Sequence, residues 1–247
     1  MKSILSNPYF KKVSKQDDVN SGKPATYGSI GTKILFFLIL TCVGVCLSIF
    51  LSIPDNFINY VLIGAGVTVL ISSLINFFVP KATPVFGSLF CIAEGYLIGW
   101  ICQSYAKVYE GIIPMALVIT FSVIFIMLFL YATKIIKVGQ RFKAVVSTLF
   151  LTSIVLGVLV FISSFFTDAI SSIVWGNGVV GIAISLGVLL IAALNLVIDF
   201  DNIAQSVKKQ YSNKYEWSLA FGLVMTVILI FVRVLNLLAK IMSTVDN

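Results

Sequence analysis

Seven long apolar runs, each almost without charged side chains, constrain the fold of this 247-residue chain more than any other feature. A helix needs about 20 residues to cross a hydrocarbon core of ~30 Å, and the runs are close to that length. Charged residues make up only 11% of the chain, whereas about 25% is usual in a soluble domain. The sequence therefore predicts an all-α, polytopic membrane protein with a bundle of seven transmembrane helices.

Lysine, proline and polar residues separate the runs and set their predicted ends. Lys33 precedes the first run, and Glu94 interrupts the third, which is short. The sixth run keeps an apolar stripe beyond Asp199, so we expect its helix to continue to about Lys208. The predicted spans, within a transmembrane domain of residues 34–247, are 34–53, 57–79, 85–101, 112–132, 144–166, 179–200 and 217–242.

The basic residues are distributed by membrane side. Residues 1–33 contain six lysines and are predicted to form a polar cytoplasmic tail. Of 17 lysines and arginines, 14 fall on the side of this tail, and only Lys107 and Lys240 fall on the other side. Because cytoplasmic loops are rich in Lys and Arg, we expect a multi-pass plasma-membrane protein with the N-terminus inside and the C-terminus outside. The partners expected from this pattern are the lipid bilayer and the anionic lipids of its cytoplasmic face, and not nucleic acid.

Three charged residues lie inside the predicted spans, where a charge costs about 2.5–3.5 kcal/mol on insertion scales. They are Glu94, Asp199 and Arg233. We interpret them as residues of an ion pathway or of its gate. Glu94 has a structural alternative, a neutral carboxyl hydrogen-bonded to a neighbouring helix. Arg233 is expected to pair with a carboxylate, and the sequence leaves open whether this is Asp199 or Glu94, or whether the pair is purely structural.

Helix geometry separates the two aspartates of the sixth run. Asp199 and Asp201 are about 200° apart around a helix, so they cannot share a face. Asn195 and Asn202 fall on the face of Asp199, which makes Asp199 the inward candidate. Asp201 is expected to be solvated near the cytoplasmic surface, and both Asp201 and Asn195 are secondary site candidates. In the third run, Gly95 and its small and aromatic neighbours favour close helix packing.

Histidine is absent, so a carboxylate would have to carry any sensing of pH near neutrality. No cofactor is expected, and no firm metal site is predicted. Calcium or protons are the expected transported species, with calcium contacting Asp199 and Glu94. An enzyme is not expected, because the spans contain no Ser/Lys or Asp/Asp pair at a plausible spacing and no metal-ligand cluster.

Several segments together carry a family resemblance. The third run contains Ala93-Glu94-Gly95-Tyr96-Leu97-Ile98-Gly99, the sixth contains Asp199-Phe200-Asp201, and the last begins Glu216-Trp217. From Asn7-Pro8-Tyr9-Phe10 onward the chain resembles the Bax inhibitor-1 (YccA-like) family, in particular its bacterial branch with a long N-terminal tail. This resemblance implies a seven-helix bundle whose last helix is packed centrally.

The resemblance also implies a function. Some members are described as pH-sensitive calcium leak channels, gated by one aspartate in the sixth helix and one in the seventh that share a proton. Asp199 matches the first position, whereas Arg233 stands at the second. The leading hypothesis is a cation leak or transport protein in which protons or cations break a carboxylate–arginine contact. The alternative is a non-conducting regulator whose tail, residues 1–33, binds membrane proteases or other membrane proteins.

Overall fold

The computed structural model describes residues 24–51, 54–163, 176 and 178–245. Seven long α-helices occupy most of these ranges, and all seven are apolar enough to cross a membrane. The predicted all-α polytopic membrane class is therefore confirmed. The helices are α1 Tyr27–Phe50, α2 Asp55–Phe78, α3 Thr83–Ala106, α4 Ile112–Ala132, α5 Gln140–Ser163, α6 Val179–Lys208 and α7 Glu216–Val245.

Several helices are longer than the apolar runs that predicted them. Helix α1 begins at Tyr27 rather than at residue 34, because the Thr26 side chain caps its first turn by accepting a hydrogen bond from the Ser29 amide. Helix α3 runs beyond its predicted span at both ends, and α6 continues to Lys208 as expected. Of the predicted tail, residues 1–23 lie outside the described residues, as does the end of the fifth predicted span at residues 164–166.

Helix α7 is the most buried of the seven. Half of its most apolar window is buried, compared with 11% for α2 and for α5. The burial is not restricted to one side, since no residue from Glu216 to Lys240 is exposed, and Ala220, Val224 and Ile230 are fully buried. A helix that is apolar all round belongs in the centre of a bundle. The central position of the last helix stays a prediction, and the structure shows that α7 is the most buried of the seven helices.

The chain divides into two compact units. The first contains the described residues up to Ser104 together with Asn202–Met225, and the second contains Tyr105–Asp201 together with the described residues from Thr226 onward. Helices α6 and α7 each contribute one segment to each unit.

In the first unit, glycines bring the backbones of α1 and α3 into contact. A Cβ atom added at Gly44 would lie 2.2 Å from the carbonyl oxygen of Ile92, and one added at Gly95 would lie 2.2 Å from that of Thr41. Neither position leaves room for a methyl group, so only glycine permits this approach. The predicted close packing around Gly95 is confirmed.

Candidate functional site

In the second unit, a chain of hydrogen bonds joins α6 to α7. The Thr226 hydroxyl on α7 donates to the Asp199 carboxylate across 2.6 Å, and the Asn195 side-chain amide donates to Thr226 Oγ1 across 3.4 Å. Asn195, Asp199 and Thr226 are called the α6–α7 cluster below. The structure thus brings together two predicted site residues, Asp199 and Asn195, through a threonine that the sequence did not single out.

A second contact between the same two helices lies further along them. Lys240, which is only 4% exposed, donates to the Gly181 carbonyl oxygen across 3.2 Å and to Ser185 Oγ across 2.9 Å. Together with the Asp199–Thr226 bond, these contacts fix the antiparallel register of α6 and α7. Lys240, which the sequence placed only at the end of the last span, is therefore a structural contact between two helices.

The register explains where Arg233 lies. Arg233 is seven residues beyond Thr226, which is two helical turns or about 10 Å along α7. The part of α6 between Ser185 and Asp199, which this register sets against Arg233, contains no charged residue. Arg233 and Asp199 form no ion pair, and the buried Nε of Arg233 has no hydrogen-bond partner within the described part of the chain. Of the two pairings that the sequence left open, the one with Asp199 is not formed.

Asp201 is buried, and the prediction that it is solvated is wrong. Only 7% of it is exposed, its carboxylate pairs with the Lys143 ammonium across 2.6 Å, and the Tyr131 hydroxyl lies 3.3 Å from it. The helical offset from Asp199 is as predicted. The face that carries Asp201 is covered, however, because the end of α4 supplies Tyr131 and the start of α5 supplies Lys143. Both faces of α6 are therefore buried at this level.

Lys143 is a site residue that the sequence singled out only as a marker of membrane side. It forms an ion pair with Asp201, which lies two residues from Asp199 along α6. One sequence signal for the α7 contacts was available: Thr226, Arg233 and Lys240 recur at intervals of seven residues and so follow one stripe of the helix.

Glu94 lies in the first unit, on α3, next to the glycine that contacts α1. Its side chain is half-buried, and it makes no hydrogen bond or ion pair with any described residue. The alternative prediction of a carboxyl hydrogen-bonded to a neighbouring helix is therefore not realised. Its predicted role in an ion pathway stays a prediction.

A buried carboxylate that the sequence did not predict as a site lies at the start of α7. Glu216 is 1% exposed, pairs with the Lys33 ammonium and accepts hydrogen bonds from the Ser29 hydroxyl and, across 3.0 Å, from the Thr26 amide. These four residues are called the Glu216 clasp below. The clasp fastens the start of α1 to the start of α7, beside an isolated antiparallel bridge between residues 24 and 212.

The described residues contain no group of three or more His, Cys, Asp or Glu side chains that could hold a metal ion. The acidic residues of the spans are instead spread over separate contacts, each with its own hydroxyl or lysine partner, or in the case of Glu94 with none.

Comparison with protein families adds a match over nearly the whole chain. The family model described as Bax inhibitor 1 like matches residues 7–243. The chain belongs to this family. The resemblance found in the sequence is thereby confirmed, and the match extends over six helices in full and α7 up to residue 243. A comparison with curated proteins gives no significant match.

Proposed function

We propose that this Bax inhibitor 1 like protein passes cations, calcium in particular, across the membrane as a pH-responsive leak channel or transporter. The observation that carries the proposal is the α6–α7 cluster: Asp199 lies within a membrane-crossing helix and is bound by neutral groups rather than by Arg233. A carboxylate without an arginine partner keeps its capacity to bind a cation or a proton. No enzymatic activity is part of the proposal.

The chemistry of the cluster suits a passing ion. Calcium prefers carboxylate, carbonyl and hydroxyl oxygens and takes six to eight of them, including water. Asp199, Thr226 and Asn195 offer too few protein oxygens for tight binding, so the ion would keep several waters and leave readily. Protons compete for the same carboxylate, which gives flux a dependence on pH. Arg233, two turns along α7, would place a positive charge on the route and act as its gate, and Glu94 would be a second carboxylate on it.

The decisive test is flux into liposomes that contain only the purified protein. We expect Asp199→Asn to lower calcium flux at least tenfold and to flatten its dependence on pH. Glu110→Gln is the matched control, because it removes one carboxylate from an exposed position between α3 and α4. Equal flux in the wild type and in Asp199→Asn, with both folded, would overturn the proposal.

The orientation proposed with this function places the N-terminus in the cytoplasm and the C-terminus outside the plasma membrane. It is supported by the lysine distribution and by the seven helices long enough to span a membrane. A reporter enzyme active only outside the cytoplasm should be active when it is fused after residue 247 and inactive when it is fused at residue 138, between α4 and α5. An inactive C-terminal fusion would reverse the orientation.

A second candidate function is a non-conducting regulator that binds membrane proteases or other membrane proteins. The Glu216 clasp favours it, because the clasp fixes the point where the N-terminal tail leaves α1 next to the start of α7. A partner bound to the tail would thus act on the most buried helix. Removal of residues 1–23 should abolish co-purification of such a partner and leave liposome flux unchanged, whereas retained co-purification would exclude the tail as the contact.

A further inference from the structure

A polar pocket of about 390 Å³ lies in the first unit at the ends of three membrane-spanning helices. Three of its six lining residues are lysines, and one is a tryptophan. They come from the second turn of α1, from the turn between α2 and α3, and from the turn that leads into α7. The lining residues are Lys33, Lys81, Pro84, Asn213, Lys214 and Trp217.

Hydrogen bonds beneath this pocket join the first turn of α7 to the turn between α2 and α3 and to the start of α3. The Ser218 hydroxyl lies 3.3 Å from the Pro80 carbonyl oxygen and 3.2 Å from Thr83 Oγ1, and both Thr83 and Ser218 are buried. The short 3-10 turns at Pro80–Ala82 and Asn213–Tyr215 also contact each other. The backbone that carries the lysines of the two turns is therefore fixed before a ligand binds. Such preorganisation lowers the entropy cost of binding.

The charges of the pocket are arranged for an anion. Glu216 already balances Lys33, whose ammonium also lies 5.4 Å from the centre of the Trp217 ring. Lys81 and Lys214 are exposed, and they add two positive charges at the rim. The pocket also adjoins the starts of α3 and α7, where the helix dipole favours negative charge. Tryptophan beside lysine is typical of the headgroup level of a membrane.

We propose that this pocket binds the phosphate of an anionic phospholipid headgroup. Phosphate is the anion that lysine clusters at membrane interfaces recognise, and a pocket at the ends of transmembrane helices lies at the level of lipid phosphates. The inference rests on the membrane-spanning fold and is independent of cation passage. The orientation proposed above decides only which leaflet supplies the lipid, namely the cytoplasmic one.

The experiment uses the full chain, purified and delipidated in a neutral detergent. Native mass spectrometry measures the binding of phosphatidylglycerol and of phosphatidylcholine with the same acyl chains. We expect one phosphatidylglycerol to bind selectively, and the double variant Lys81→Gln/Lys214→Gln to bind it about thirtyfold more weakly, at roughly fivefold for each lysine. The matched control, Lys134→Gln/Lys137→Gln, removes two exposed lysines from the turn between α4 and α5 and should bind as the wild type does.

Two further arms make the outcome unambiguous. Thermal unfolding without lipid, together with phosphatidylcholine binding, checks that each variant is folded; if the double variant is not, Lys214→Gln alone should still give the fivefold loss. Inorganic phosphate at millimolar concentration is added as a competitor, and it should not displace the phospholipid. Equal phosphatidylglycerol binding in the double variant and the wild type, an equal loss in the control, or displacement by inorganic phosphate would each overturn the proposal.

Discussion

The contact between α1 and α3 gives the sharpest prediction about stability. In Gly95→Ala the new Cβ atom would lie 2.2 Å from the Thr41 carbonyl oxygen, where 3.4 Å or more is ordinary contact. The atom that it meets belongs to the backbone of a helix, so no side-chain rotation can relieve the overlap. The two helices would have to separate by about 1 Å, and a gap of that size costs a quarter to a half of the dispersion energy of the contact.

The magnitude follows from two opposing effects. Overpacking of this kind typically costs about 1–3 kcal/mol, and the upper part of that range applies because the obstacle is rigid. Alanine returns up to about 1 kcal/mol through its higher helix propensity. We therefore expect Gly95→Ala to lower the free energy of unfolding by about 2 kcal/mol. For a chain of this length the midpoint temperature should fall by about 4–8 °C.

Thermal unfolding in a mild detergent measures this loss, with Gly66→Ala as the matched control. Gly66 also lies within a membrane-spanning helix, but an added Cβ there would meet nothing within 4 Å. The control should unfold at the wild-type temperature or slightly above it. Equal unfolding temperatures for Gly95→Ala and the wild type would refute the reasoning, because they would mean that α1 and α3 are not in backbone contact.

A second glycine separates backbone from side-chain obstruction. A Cβ at Gly99 would meet the Ser48 hydroxyl at 2.0 Å, a group that can move or be removed, whereas its nearest backbone contact, Val45 Cα, would lie at 3.1 Å. Adding Ser48→Ala should therefore restore much of the stability lost in Gly99→Ala. Adding Thr41→Ala to Gly95→Ala should restore none, since the carbonyl oxygen remains in place. Recovery of stability in both double variants, or in neither, would contradict the conclusion that Gly99 meets a side chain and Gly95 a backbone carbonyl.

Three predictions concern the charged groups. Lys143→Met should lower the free energy of unfolding by about 1–3 kcal/mol, because it leaves Asp201 buried without its ion-pair partner. In the same unfolding assay, the double variant Lys143→Met/Asp201→Asn should recover part of that loss. Arg233→Met should leave the pH dependence of liposome flux in place, because Asp199 accepts its hydrogen bond from Thr226 and forms no ion pair with Arg233; a changed pH dependence would restore an arginine latch. Glu216→Gln should lower the unfolding temperature by several degrees by weakening the clasp, and Glu110→Gln should not.

The family and the number of spans could be read from the sequence for a simple reason. In a bilayer every backbone polar group must be satisfied internally, so an apolar run of about 20 residues has only the helix available to it. Local composition then decides local structure, and the seven runs became seven helices. Even the faces of α6 followed from sequence, because the angle between Asp199 and Asp201 depends only on helix geometry.

The predictions that were wrong or left open concern contacts between helices, which depend on the residues that cover each face of a helix. The offset of Asp201 from Asp199 was correct, but only the folded chain places Tyr131 and Lys143 over Asp201. The predicted helix ends were also wrong where a cap or an ion pair extends the helix beyond its apolar run, as Thr26 does before α1. The length of an apolar run does not predict such contacts, because they are made by polar atoms that lie beside the run and not within it.

The sequence by itself thus determined that this chain is a seven-helix membrane protein of the Bax inhibitor 1 like family and which charges lie in its spans. The tertiary structure decided which partner each charge has. Asp199 bonds to Thr226 and Arg233 does not reach it, because the register of α6 against α7 separates them by two turns. Lys33 meets Glu216 across 183 residues of sequence. Spans are set by local apolarity, whereas the partners of buried charges are set by long-range packing that no local pattern contains.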